Sequence, residues 1–379
     1  MLVRCDRCLL PSTKPDLVFF GDTCSACVNF EQRAGVDWDQ RRRTFMDMFE
    51  AQEKNSAWDC IVPVSGGKDS TYQVLKLLEL GLNPLAVNSR TCDLSDLGRR
   101  NLDNIRSLGV DLIEVAPNSI IRSKLNKFGL EQLGDISWPE HLGIFTIPVN
   151  VALNFGVKII VWGENSQNEY GGPEQAAESF VLDQAWLDEF GGLLGTRLSD
   201  AQEILDIPTR DLGIYQYPDP QKLEDAGVTG LFLGHFFPWN GLSNFLIANV
   251  NGFESFGKPV EGSLVEYENL DNHQTGIHDY LKYLKFGFSR TSDIASSLIR
   301  RGLISREQGM KTVLLRDGAY PSTCLGKSLE EILDPLSLTI TEFDAICDGF
   351  TNRDLFATDG NGAFLRRKDG SPLLKSIDK

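Results

Sequence analysis

The stretch DCIVPVSGGKDSTY, residues 59–72, decides how the rest of the chain is read. Cys60–Val64 is an apolar run of the length of a buried strand. In Asp69–Leu80, Thr71, Val74, Leu75 and Leu78 fall on one helical face, and Gly81 stands where a helix C-cap belongs. Between strand and helix lies Ser65-Gly66-Gly67-Lys68-Asp69-Ser70. A loop at the carboxyl end of a parallel strand is where doubly wound folds bind ligands. Gly66 and Gly67 let backbone N–H groups approach an anion, and the helix beginning near Asp69 adds its positive end. Ser65, Lys68 and Ser70 supply further donors for phosphate oxygens. Asp69, acceptor-only when ionised, suits Mg2+ or a helix cap. A plain strand–helix turn would need only one glycine and a capping serine.

Outward from this loop the pattern is strand–helix alternation. Pro84–Asn88, Val110–Val115 and Val157–Gly163 read as strands, and Ser95–Leu108 and the region near Val149–Phe155 as helices. Such alternation predicts an α/β fold, a doubly wound parallel sheet covered on both faces. Residues 36–56 carry Phe45, Met48 and Phe49 at helical spacing and read as a connecting helix. Residues 166–228 lose the alternation, and from Ile277 onward the chain turns helical. The organisation expected is a cysteine knuckle over 1–35, a nucleotide-binding α/β domain over 36–165, an insertion over 166–240, and a mainly helical C-terminal region over 241–379.

The chain has 379 residues, too many for one ordinary core. Its 41% apolar and 24% charged residues are those of a soluble globular protein, no apolar run reaches membrane-spanning length, and the N-terminus lacks a signal peptide's apolar core. A cytoplasmic location is expected. A net charge of −16 disfavours a broad nucleic-acid surface. Cys5, Cys8, Cys24 and Cys27 form C-x2-C-x15-C-x2-C, the spacing of a closed four-thiolate zinc site, with a redox pair or iron–sulfur ligation as rivals. A closed site has no open position for substrate, so its role is scaffolding.

Other phosphate loops fit poorly. Gly326-Lys327-Ser328 would need a glycine where Pro321 stands, and a hydrolase elbow around Ser65 fails at Pro63. Ser65–Ser70 instead resembles the S-G-G-x-D-S signature of the PP-loop ATP pyrophosphatases, over roughly residues 59–165. The resemblance implies a PP-loop, adenine nucleotide alpha-hydrolase-like fold that binds ATP and Mg2+, cuts ATP between its α- and β-phosphates and adenylates a substrate oxygen. Trp162-Gly163-Glu164-Asn165, the four-cysteine knuckle, and Tyr280-Leu281-Lys282-Tyr283-Leu284-Lys285-Phe286-Gly287 with Arg290 and Asp293 look like the N-acetyl sugar amidotransferases of bacterial surface-polysaccharide and nonulosonic-acid pathways, lipopolysaccharide O-antigen among them. This implies conversion of an acetamido group on a nucleotide-linked or free sugar into an acetamidino group, with ammonia from a glutaminase partner. A tRNA thiolase using Cys92, and a non-catalytic ATP-binding scaffold, are the competing readings.

Residue roles follow from the resemblance. Lys68, Asp69 and Glu164 are the candidate catalytic residues. Ser65, Gly66, Gly67, Ser70, Asn88, Ser89 and Gly163 are expected around the nucleotide, and Asn165, Lys282, Lys285 and Arg290 around the sugar. His278 joins Lys282, Lys285 and Arg290 in a basic stretch interleaved with Tyr280, Tyr283 and Phe286, and Arg300 and Arg301 lie beyond it. This stretch suits a diphosphate better than a bare solvated face in so acidic a chain. His235 fits an acid–base or a structural role equally, and His141 and His273 have no assigned role. Nothing around Cys60, Cys92, Cys324 or Cys347 looks like a glutaminase nucleophile.

Overall fold

A computed structural model describes residues 2–52, 56–182 and 192–375. The chain opens with a short hairpin, β1 (Phe19–Phe20) and β2 (Thr23–Cys24), then α1 (Ser25–Gln32) and α2 (Trp38–Glu50). The alternating region follows: β3 (Cys60–Pro63), α3 (Lys68–Glu79), β4 (Pro84–Ser89), α4 (Asp96–Ser107) and β5 (Asp111–Val115). Two helices, α5 (Ser119–Phe128) and α6 (Trp138–Phe155), lead to β6 (Ile159–Trp162).

The central sheet has strand order β5-β4-β3-β6-β8-β7, where β7 is Val181–Leu182 and β8 is Thr229–Phe232. All pairings are parallel except β7 with β8. The segment expected as an insertion thus supplies two sheet strands; its residues 183–191 lie outside the described ones. The chain builds outward from β3 to β5, then returns to β6 on the other side of β3. That reversal opens a crevice at the carboxyl ends of β3 and β6.

Strand alternation explains the layers. Cys60 and Val62 point into a core with Phe45, Val74, Leu77, Leu102 and Ile105, on the side of α2, α3 and α4. Ile61, Leu85 and Val87 point oppositely, onto Ile147, Val151 and Ala152 of α6. Helix α3 ends as its sequence predicts: Gly81 has φ +77°, and the Leu82 N–H donates to the Leu77 carbonyl at 3.1 Å.

Helix α6 departs from expectation. Pro148 suggests a helix starting at Val149, yet α6 runs 18 residues from Trp138 with Pro148 inside it. Its N-terminal half is held by burial of Trp138, Leu142 and Ile147, and Gly143 allows close approach to β4, since a Cβ there would lie 2.6 Å from Ser89 Oγ. Packing overrides the local break.

Helix α7 (Ser166–Tyr170) lies between β6 and β7, and the C-terminal region beyond the sheet includes α8 (Gly241–Val250), α9 (Thr275–Phe286), α10 (Arg290–Arg300), α11 (Arg306–Arg316) and α12 (Ile340–Phe350), with a hairpin β9–β10 (Thr323–Cys324, Lys327–Ser328). Ile277, Tyr280, Leu281, Tyr283 and Leu284 of α9 form the centre of its core. The tyrosines that seemed interleaved with cations are therefore packing residues. Among the described residues no helix is long and apolar enough to cross a membrane.

Gly66 has φ +86°, and a Cβ there would sit 2.8 Å from the Leu102 backbone nitrogen. Gly66→Ala therefore meets both backbone strain and a clash with α4, whereas Gly81→Ala meets strain alone in open space. The expected loss for Gly66→Ala is about 1–3 kcal/mol or more, clearly exceeding that of Gly81→Ala, read from urea midpoints.

Candidate functional site

The crevice at the sheet reversal is a cleft of about 490 Å3. One half is lined by Ser65, Asp69 and Ser70 of the loop after β3, Ser89 at the end of β4, and Gly163 and Glu164 after β6. The other half is lined by Glu140 and His141 of α6, Asp271, Asn272, and Thr275, His278 and Arg290 of the C-terminal helices.

The loop is built around the start of α3. Gly67 is its N-cap residue, and no side chain caps the helix. The Gly67 N–H donates to Ser65 Oγ at 3.2 Å, while Ser70 Oγ and Thr71 Oγ1 both donate back to the Gly67 carbonyl at 3.0 Å. An uncapped N-terminus facing a polar cleft suits an anion, because its first N–H groups have no partner within the helix. Asn88 braces this loop by donating to the Val64 carbonyl at 2.7 Å, and its Oδ1 is buried without a partner. Thr91 Oγ1 and Trp162 Nε1, on residues that line the cleft, are likewise buried and unpaired. Such orphans suit a polar ligand.

Lys68 is placed differently from expectation. It is 3% exposed, does not line the cleft, and pairs with Asp69 and, at 2.8 Å, with Glu268; its ammonium lies 5.8 Å from the Tyr267 ring centroid. Burial would lower its pKa, but Asp69 and Glu268 hold it well above the ordinary lysine value. Asp69 also accepts from Asn244 Nδ2 at 2.8 Å. Glu164, pressed by burial and by the Asp69 carboxylate, is pushed up to about 7. Asp271 is raised by burial to about 6. A cleft with several carboxylates favours a cation among them.

Asn165 caps α7, accepting from the Gln167 and Asn168 N–H groups, and its Nδ2 donates to the Ala176 and Ser179 carbonyls at 2.6 and 3.0 Å. It lines a neighbouring cavity of about 420 Å3 that also contains His235, Arg33 and Glu169, with Glu164 common to both. Burial and Arg41 lower His235 to about 4. Lys282 pairs with Asp293, and Lys285 donates to the Leu133 carbonyl at 3.3 Å; neither lines the cleft. Arg290 does, with Asp279 holding it through two bonds of 3.1 and 3.2 Å. Arg301 pairs with Glu169 at 2.7 Å. Of the basic stretch, Lys282, Arg290 and Arg301 are thus paired with carboxylates of the protein itself and Lys285 with a backbone carbonyl.

The sequence missed a cluster in the second half of the cleft. His278 Nδ1 lies 2.7 Å from Asp135 Oδ1, His141 Nδ1 lies 3.9 Å from Asp135 Oδ2, and the two imidazoles meet edge-on with centroids 5.7 Å apart. Some 137 positions separate the histidines, and no spacing rule links residues on α6 and α9.

The four knuckle cysteines are buried, with all sulfurs within 4.8 Å of one another; Cys8–Cys24 is 3.4 Å and Cys5–Cys27 is 3.9 Å. Tetrahedral thiolates at metal–sulfur distances of about 2.3 Å have sulfurs about 3.8 Å apart, so this donor set fits a metal ion. The Cys24 N–H donates to Cys5 Sγ at 3.3 Å, and Arg300 lies beside Cys8 and Cys27. Arg4 docks the knuckle, donating to the Leu9 carbonyl at 2.8 Å and to Ser292 Oγ of α10 at 3.0 Å.

Residues 251–368 match the family model described as LPS biosynthesis protein WbpG-like, C-terminal domain. No curated protein matches the chain. Among solved structures, the chain is similar to an NMN synthetase from Francisella tularensis at 11% identity, covering 50% of this chain and 91% of that one, with a TM-score of 0.28. It is also similar to an NH3-dependent NAD synthetase from Campylobacter jejuni subsp. jejuni at 14% identity, covering 57% and 97%, with a TM-score of 0.29.

Stripping metal from the knuckle with a thiolate-competitive chelator is expected to cost several kcal/mol of stability and to lower the melting temperature, with metal release measured in parallel. For Glu164, the folded carboxyl keeps its proton up to about 7, above the ordinary glutamate value. The native state therefore binds more protons than the unfolded state between those pH values, and stability falls as pH rises through that window. Glu164→Gln is expected to remove this decline in urea midpoints measured at either end of it.

Proposed function

We propose that the chain is an AMP-forming amidotransferase that converts the acetamido group of an N-acetyl sugar, carried on a nucleotide, into an acetamidino group. The observation that carries this is the shared lining of one cleft. An uncapped helix start preceded by Ser-Gly-Gly faces one half, and Asp271, Asn272, Thr275, His278 and Arg290, all within the segment matched to an LPS-biosynthesis domain, line the other.

In this reading the acetamido oxygen attacks the α-phosphorus of ATP and pyrophosphate leaves. Ammonia then adds to the activated carbon, and AMP departs with the former carbonyl oxygen. Ser65, Gly66, Gly67 and the first N–H groups of α3 hold the outer phosphates. Ser70, as oriented, fixes the Gly67 carbonyl and so the loop's shape. Gly163 leaves room for the α-phosphate, and Asn88 and Ser89 flank the nucleoside. Asp69 and Glu164 would hold Mg2+, which would supply charge neutralisation at the phosphates. Lys68 acts at one remove, fixing Asp69, and Asn165 fixes Glu164 through the cap of α7. Arg290 meets the diphosphate of the sugar nucleotide, while Lys282 and Lys285 support α9 around it. Zinc is the metal of the four-cysteine site, in a scaffold role.

Ammonia comes from a separate glutaminase. Burial raises the thiols of Cys60, Cys324 and Cys347, which leaves none of them activated as a nucleophile. Cys92, on which a tRNA thiolase would depend, donates to Gln274 Oε1 at 3.1 Å and is likewise raised. That disfavours the thiolase alternative.

The test is to incubate the protein with ATP, Mg2+, a panel of UDP-linked N-acetyl sugars, glutamine and a glutaminase. The expected result is AMP and pyrophosphate together with a sugar nucleotide lighter by the difference between an oxygen atom and an NH group. ADP formation, or AMP without that mass change, overturns the reading.

A further inference from the structure

We propose that His278, held by Asp135, is the base that takes a proton from the attacking nitrogen in the second half of the reaction. The inference rests on the amidotransferase reading and assigns it a residue outside the nucleotide loop. His278 lines the same cleft as Glu164, Asp69 and Ser65. Its Nδ1–H donates to Asp135 Oδ1 at 2.7 Å, which leaves Nε2, on the opposite edge of the ring, as the available lone pair. Asp135 is itself fixed: it is 5% exposed and its Oδ1 accepts from the Ser137 N–H at 2.9 Å. A buried carboxylate behind an imidazole sets the tautomer and stabilises the imidazolium that forms.

The surroundings push the two histidines apart, His278 toward greater basicity and His141 toward less. Asp135, His141 of α6, Asp279 of α9 and Arg290 of α10 all face His278. Burial pulls its basicity down, but Asp135 more than offsets this and the net shift is upward. His141 is lowered, chiefly by burial, and its Nδ1 is spent on the Gly192 carbonyl at 3.3 Å. Environments that push two like groups apart are what acid–base chemistry needs.

The step balances without a further reagent. Ammonia forms a carbon–nitrogen bond to the adenylated acetamido carbon, giving a tetrahedral adduct with a positively charged nitrogen. His278 Nε2 takes one proton from that nitrogen. The lone pair so freed forms the carbon–nitrogen double bond, the carbon–oxygen bond to AMP breaks, and the imidazolium returns its proton to solvent.

The experiment compares the full-length wild type with His278→Gln and Asp135→Asn, using ATP, Mg2+, the reactive sugar nucleotide and added ammonium salt. Rates are expressed per free NH3 across a pH series, and fold is checked by melting temperature. For wild type the acid limb is expected above the ordinary imidazole value of about 6.5, since His278 must be neutral to act. His278→Gln is expected to lose on the order of 10²–10³-fold in kcat and to lose that limb. Asp135→Asn is expected to move the limb to lower pH, and imidazole added to His278→Ala to restore part of the rate. A His278→Gln variant that keeps the limb, whatever its rate, overturns the proposal and leaves the amidotransferase reading standing. Wild type that makes no AMP from any acetamido sugar nucleotide overturns both.

Discussion

The structure depends on one buried carboxylate, Glu169. It accepts from Arg33 at 2.7 Å on the knuckle side and from Arg301, the C-cap of α10, at 2.7 Å on the other, and its backbone carbonyl accepts from Arg300 at 3.0 Å. These cations outweigh its burial and hold it at about 2, so it is ionised at any physiological pH. Removing one partner from such a cluster leaves a charge stranded in a low dielectric, at a cost of about 3–5 kcal/mol. Three sequence-distant regions thereby meet on a single residue, five positions beyond Glu164. Arg300 touches the cysteine cluster as well, which links the knuckle to the wall of the neighbouring cavity that Glu169 lines.

The same acid–base economy explains the cleft. The chain is acidic overall, and most of its basic residues near the site are engaged inside the protein: Lys68 by Asp69 and Glu268, Lys282 by Asp293, Arg290 by Asp279. What faces the cleft is a helix N-terminus, hydroxyls, carboxylates, imidazoles and the Asp279-paired guanidinium of Arg290. An anion is met there by backbone N–H groups and dipoles, and the carboxylates call for a cation to accompany it.

Much of this was legible in the sequence because it is local. The strand, loop and helix around Ser65 are set by period-two and period-3.6 patterns within a short window, and the cysteine spacing by two turns. What was not legible required tertiary knowledge. Pro148 breaks a helix by local rules, but the apolar face from Trp138 to Ile147 carries α6 through it. Tyr280 and Tyr283 read as a ligand-facing set with the lysines, whereas Ile277, Leu281 and Leu284 on the same helix turn them to the core. Gly66 was read as room for an anion; its positive φ and the nearness of Leu102 give it a packing reason too. The His141–Asp135–His278 cluster joins the start of α6 to α9, residues far apart in sequence that only the folded chain brings together.

The Arg4 contact with Ser292 has a consequence for biosynthesis. The knuckle is synthesised well before the helix it docks on, since 288 positions separate Arg4 from Ser292. At about 5–20 residues per second, the four thiols wait on the order of 15–60 s before their neighbours Arg300 and Ser292 exist. During that interval the four thiols, a donor set that fits a metal ion, have only the knuckle's own contacts around them. The Arg4–Ser292 contact therefore belongs to the part of folding that waits for the C-terminal helices.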